Sequence, residues 1–190
     1  PYGTTHIMPT FVTSPVSQLV AQTDVMEELK KLTEAPGYKG ARYAGLFWEG
    51  PFISKTKKGA QPEENIARLD AEALARVNSC AGKINRLILA PEEVDLGNLA
   101  FADPNLKLTI GHTDASFELA VLAANLGMNS FVHTFNGMSG FGHLSPGVFG
   151  AAMATSETYC ELICDGVHVL PAAARVLFEA RGADWIVLIT

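Results

Sequence analysis

Short apolar runs alternate with helix-length amphipathic stretches along all 190 residues, and that alternation restricts the fold more than any other feature of the chain. The predicted strands are Gly3–Met8, Tyr43–Trp48, Arg86–Ala90, Leu106–Gly111, Ser130–His133, Tyr159–Cys164 and Trp185–Thr190. Each is rich in Ile, Leu, Val or aromatic residues and lacks strict alternation, as strands covered on both faces of a parallel sheet do. Helical spacing falls between them. Over Pro15–Leu32 a stripe runs through Val16, Leu19, Val20, Val25, Leu29 and Leu32, with Ser14 predicted as N-cap and Pro15 in the first turn. Asp70–Cys80 carries Leu74 and Val77, with Asp70 as cap. Ser116–Leu126 aligns Phe117, Ala120, Val121 and Ala124, with Thr113 or Asp114 as cap and Gly127 as the stop. Pro171–Ala180 opens on proline and ends shortly before Gly182.

Serial strand–helix units build either a (β/α) barrel or an open doubly wound sheet. No composition shift or flexible linker divides the chain, so residues 1–190 read as one α/β domain. A closed eight-stranded barrel takes about 250 residues, so the barrel reading implies an incomplete one, cut at both ends.

Composition narrows the function classes. With 48% apolar and 18% charged residues the chain can bury a core, which excludes whole-chain disorder. The formal charge is −6, and the densest basic cluster is Lys55-Thr-Lys57-Lys58. A nucleic-acid partner is not expected, because neutralising phosphates takes a concentrated positive face. No apolar run approaches the roughly 18 residues that span a bilayer, so no membrane partner is expected either. Cys80, Cys160 and Cys164 form no CxxC pair and no even-numbered disulfide set, which suits a reducing, cytoplasmic compartment.

The polar residues that break the core pattern stand at the C-terminal ends of predicted strands: Glu49, His112, His133, and Asp165 with His168. In a parallel fold those ends share one face, so residues remote in sequence converge. One carboxylate and two imidazoles suit a divalent ion, zinc first, with iron or manganese as alternatives. Such an ion would polarise a carbonyl and acidify a water, which points to hydrolysis of an amide or ester. Plainer readings stand beside this one: strand-end histidines that are only hydrogen-bonded, and a Glu49 that caps the turn before Gly50-Pro51. His6 is predicted as a packed strand residue. His143, in the glycine-rich loop Ser139–Gly147, is either a substrate contact or solvent-facing. Lys55–Lys58 is predicted as a solvated loop, with phosphate attraction as its sharper alternative. Gly137 and Gly140 do not follow a strand as GxGxxG and give no dinucleotide signal.

Six segments also stand in the order and approximate spacing of a known family: Phe47-Trp-Glu-Gly-Pro-Phe52, Lys58-Gly-Ala-Gln-Pro62, Ile110-Gly-His-Thr-Asp-Ala115, His133-Thr-Phe-Asn-Gly-Met138, Pro146-Gly147 and Asp165-Gly-Val-His168. Together with Gly3-Thr-Thr-His-Ile-Met-Pro-Thr10 they make the chain resemble the N-acetylglucosamine-6-phosphate deacetylase family of metal-dependent amidohydrolases. The resemblance implies a (β/α)8 TIM-type barrel that lacks its first strand and everything after the eighth. It implies Glu49, His112 and His133 as metal ligands, and Ala60 (through its backbone), Gln61, Asn136, Gly137 and His168 as substrate contacts. It implies removal of acetate from N-acetylglucosamine 6-phosphate, cytoplasmic amino-sugar catabolism, and a homodimer when the protein is complete.

The resemblance also implies departures. The family's catalytic aspartate would fall just after Thr190, so no catalytic acid or base is expected in this chain and the fragment alone is expected to be inactive. Gln61 replaces a histidine that orients the acetyl carbonyl, and its amide can still donate a hydrogen bond. Leu144 replaces an arginine that reaches the phosphate of a neighbouring subunit. The His-x-His pair of the first barrel strand has no counterpart, which leaves a single ion. The alternatives are another amidohydrolase, acting on a different N-acetyl sugar or a cyclic amide, a non-catalytic sugar-phosphate binding protein, and a metal-free scaffold.

Overall fold

The computed structural model describes residues 3–189, so Thr190, the end of the last predicted strand, lies outside the described residues. In chain order the elements are β1 (His6–Ile7), β2 (Thr10–Val12), α1 (Val16–Glu34), β3 (Arg42–Tyr43), β4 (Phe47–Glu49), α2 (Ala71–Asn78), β5 (Arg86–Leu89), β6 (Lys107–Ile110), α3 (Phe117–Asn125), β7 (Ser130–Phe131), α4 (Gly147–Ala154), β8 (Tyr159–Ile163), α5 (Pro171–Arg181) and β9 (Ile186–Ile189). Seven strands form one sheet in the order β2-β4-β5-β6-β7-β8-β9. Every neighbouring pair is parallel. Strand order follows chain order throughout, as in one turn of a barrel wall, and unlike a doubly wound sheet it never reverses. Among the described residues β2 and β9 are edges and do not pair with each other.

The strands alternate as barrel staves. Trp48, Leu87, Leu89, Ile110, Phe131, Cys160 and Leu162 pack in the larger core, while Phe47, Ile88 and Val132 cluster separately with Ile53. The second set shares its side of the sheet with Arg86, Ser130 and Glu161. Arg86 on β5 ion-pairs with Glu161 on β8, donates to Ser130 Oγ at 3.2 Å and stacks on the Phe47 ring at 4.5 Å. Three strand spacings separate β5 from β8, roughly 14 Å in a flat sheet. The contact therefore reports a sheet curled around this inner face, a curved parallel wall consistent with part of a TIM-type barrel.

Several expectations need correction. The predicted first strand, Gly3–Met8, shrinks to β1, which pairs with β3 in a separate two-stranded sheet and is cut off from the main sheet at Pro9, a residue with no N–H to give a ladder. The main sheet instead begins with the unpredicted β2. His6 is consequently exposed, not packed. Predicted strand Tyr43–Trp48 likewise splits into β3 and β4. On α1 the stripe holds at Leu19, with Val16 and Val20 packed beside it, and fails at Val25 and Leu32, which are 60% and 59% exposed. The helix docks through Leu19 and Thr23, whose hydroxyl accepts from Trp48 Nε1 at 3.1 Å. Ser14 makes no cap, and Pro15 occupies that position. Asp70 does cap α2, accepting from the Ala73 amide at 2.8 Å. Ser116, not Thr113 or Asp114, caps α3. Helix α4 went unpredicted because it is apolar on every side, and it is almost wholly buried.

Candidate metal centre

Three strand ends deliver the converging side chains. Glu49 is the last residue of β4, His112 follows β6 after Gly111, and His133 follows β7 after Val132. Glu49 ends the inward-facing row of β4, Gly111 and Val132 end those of β6 and β7, and the histidines that follow them meet Glu49 across the curled wall. Glu49 Oε1 lies 3.0 Å from His112 Nε2 and 3.6 Å from His133 Nε2, and the two Nε2 atoms are 3.1 Å apart. Both histidines adopt positive φ, 46° and 34°, as does Phe135 at 84°. Non-glycine residues rarely do so, and such strain gathers at functional sites.

The outer nitrogens decide the tautomers. His112 Nδ1 donates to the Lys57 carbonyl at 2.8 Å, and His133 Nδ1 donates to the Asn136 carbonyl at 2.9 Å. In a neutral imidazole that leaves a lone pair on each Nε2. Two lone pairs and a carboxylate oxygen then face one point, an arrangement that needs a cation. With no ion bound, a proton on Nε2 lets His112 first and then His133 hydrogen-bond Glu49, which holds that carboxyl at about 2 and anionic. Burial pulls the His133 pKa down, but the hydrogen bond and charge of Glu49 outweigh it and the net shift is upward. A site that draws a proton in this way draws a divalent ion by the same field. Glu49, His112 and His133 form a group able to hold one.

The remaining predicted residues divide. Gly137 lies against the centre: a Cβ there would stand 3.1 Å from His112 Nδ1, 3.4 Å from His133 Cε1 and 3.4 Å from the Lys57 carbonyl. Asn136 Nδ2 is buried with no hydrogen-bond partner among the described residues, a donor awaiting an acceptor. Gln61 is 7% exposed, and its Oε1 accepts from the Thr13 amide at 2.8 Å. Since Thr13 supplies a donor, the Gln61 NH₂ faces away from it. Ala60 is exposed and follows Gly59, whose added Cβ would meet His112 Cε1 at 3.4 Å. His168 stands apart. Its side chain is 56% exposed and Nδ1 donates to Asp165 Oδ2 at 2.7 Å, while no hydrogen bond joins it to the three converging residues.

Lys57 is no solvated lysine: its carbonyl orients His112 and its ammonium pairs with Asp114 at 3.3 Å. His143 is exposed in the short hairpin that pairs Gly142 with Ser145. Sequence reasoning missed Glu92, whose carboxylate accepts from the Thr113 hydroxyl and, at 2.6 Å, from the Asp114 amide. The signal was available, because Glu92 also follows a buried strand end, Leu89-Ala90-Pro91.

No protein-family model matches the chain. It is 37% identical over 191 residues to the N-acetylglucosamine-6-phosphate deacetylase of Bacillus subtilis, covering 99% of this chain and 48% of that protein. It is 31% identical to the N-acetylgalactosamine-6-phosphate deacetylase of a Shewanella species, covering 100% of this chain and 47% of that protein. Among solved structures it superposes, with a TM-score of 0.87 and 27% identity, on a Mycobacterium smegmatis N-acetyl-D-glucosamine-6-phosphate deacetylase variant in complex with N-acetyl-D-glucosamine-6-phosphate. That match covers 100% of this chain and 48% of the other. The chain thus spans about half the length of the curated relatives it matches.

Proposed function

We propose that this chain contributes the metal centre and part of the sugar pocket of an N-acetylglucosamine-6-phosphate deacetylase, an enzyme that hydrolyses the 2-acetamido group to free acetate and the amine. In this reading the curved wall is part of a (β/α)8 barrel, residues 1–190 belong to one catalytic domain as a part of it, and the complete protein is a cytoplasmic homodimer. The observation that carries the activity is the meeting of Glu49 Oε1 with the Nε2 atoms of His112 and His133 while both Nδ1 atoms are engaged by backbone carbonyls.

A divalent ion, with zinc as the first candidate, supplies Lewis-acid polarisation of the acetyl carbonyl and a water acidic enough to ionise near neutral pH. Glu49 brings the one negative charge, and the two neutral rings bring directed lone pairs. The Asn136 NH₂ and the Gln61 NH₂ offer hydrogen bonds to substrate oxygens, Gln61 toward the acetyl carbonyl. Gly137 keeps the approach open where any side chain would crowd the rings. His168, fixed by Asp165, presents Nε2 to the sugar phosphate, and the Ala60 backbone borders the same pocket.

Acetate release by the protein carrying this chain is the direct test. N-Acetylglucosamine 6-phosphate should be turned over, unphosphorylated N-acetylglucosamine much less, and chelation should abolish both. Assay of N-acetylgalactosamine 6-phosphate in parallel fixes the sugar. Absence of acetate from every substrate, or turnover that survives complete chelation, overturns the reading.

A further inference from the structure

Between the strand that ends in Glu49 and the strand that leads to His112 lies β5, whose end carries Pro91-Glu92-Glu93. The Glu92 carboxylate does not reach the three converging side chains. It spans instead the turn just after His112, one oxygen accepting from the Thr113 hydroxyl and the other from the Asp114 amide at 2.6 Å. Other groups grip the same turn: the His112 carbonyl accepts from the Ser54 amide at 2.8 Å, and the Thr113 amide donates to the Gly137 carbonyl at 3.0 Å. The Thr113 hydroxyl also accepts from the Ala115 amide at 3.1 Å. Glu92 is the one side chain in this set that ties two successive residues.

We propose that Glu92 is a positioning residue of the metal centre, clamping residues 113–114 so that His112 holds its left-handed backbone and keeps Nε2 beside that of His133. The physical reason is the strain at His112, whose φ of 46° is disfavoured and persists only where its surroundings over-determine it. A carboxylate accepting two hydrogen bonds fixes a plane and not merely a distance. Without it the turn can relax toward negative φ, and the His112 ring swings with the backbone. The inference rests on the metal-centre reading given above.

The test titrates Zn²⁺ into the ion-free protein against a competing chromophoric chelator, for the parent, E92A, E92Q and T113V, with thermal unfolding of each ion-free form. E92A should weaken Zn²⁺ binding about 10–100-fold, the usual effect of removing an outer-shell partner. E92Q should fall between parent and E92A, since an amide can accept from Asp114 and donate to Thr113. T113V, nearly isosteric, removes one of the two Glu92 bonds together with the Ala115 bond, and its loss should be less than additive with that of E92Q. It keeps the proposal testable should E92A not fold. Unchanged Zn²⁺ affinity in folded E92A, or in T113V and E92Q together, overturns it. So does a fall in ion-free unfolding temperature with no change in affinity, which would mark a purely structural role. Failure of the parent itself to bind Zn²⁺ is a different result and refutes the metal-centre reading.

Discussion

His112 and His133 meet edge to face, with ring centroids 4.6 Å apart and planes at 78°. Both face Glu49 through Nε2. Two imidazoles at this separation and angle aim distinct lone pairs at a common point without stacking.

Gly137 and Gly82 both have positive φ, 59° and 75°, but only Gly137 has neighbours that an added Cβ would touch. Gly137→Ala and Gly82→Ala should each lose about 1–2 kcal/mol for the left-handed backbone. Only Gly137→Ala should also weaken Zn²⁺ binding, by roughly 10-fold or more, because its methyl crowds the His112 ring. Zn²⁺ titration and thermal unfolding of the two variants separate the effects.

Gln61→Glu keeps an acceptor for the Thr13 amide and removes the outward donor. Turnover should fall about 10²-fold, the scale for losing one oxyanion-type hydrogen bond. Amide exchange at Thr13 should stay slow. Undiminished turnover would show that Gln61 does not contact the acetyl carbonyl.

Glu161 is 3% exposed beneath Arg86. Glu161→Ala should destabilise by about 3 kcal/mol, the low end for breaking a buried pair, since the Arg86 side chain keeps 23% exposure. Arg86→Met with Glu161→Leu should recover most of that loss. Urea unfolding of the single and double variants reads the difference.

Asp165 is held at about 2, below its usual 3.8, first by the His168 side chain and then by the His168 and Val167 amides. A depressed carboxyl favours the folded loop above its unfolded pKa, and that contribution vanishes as pH falls through the folded value. Protection factors at Val167 and His168, taken relative to intrinsic exchange at each pH, should therefore fall between pH 3.8 and about 2 and stay level above it. Asp165→Asn should remove the step.

The three converging residues were legible because a parallel fold puts every strand's end on one rim, so a carboxylate or imidazole after an apolar run carries a position as well as a chemistry. Glu92 obeyed the same rule and was passed over, since Pro91 made the segment read as a turn. The carbonyls of Lys57 and Asn136 left no trace, because every residue has a carbonyl and only the path of the chain says where it points. Strand β2 was hidden between Pro9 and Pro15, which make the segment read as a loop, and α4 by an apolar surface that has no period to detect. The Ser116 cap was misread by a few residues because Thr113, Asp114 and Ser116 are all competent caps, and Thr113 is committed to Glu92.

Both rings are oriented from behind by main-chain oxygens, at Lys57 and Asn136. A substitution at either position therefore leaves the imidazole tautomers as they are, provided the loops keep their course, even where it removes a side chain with work of its own, as at Asn136. For the tautomers alone, selection acts on the trajectory of the polypeptide and not on the letters beside it.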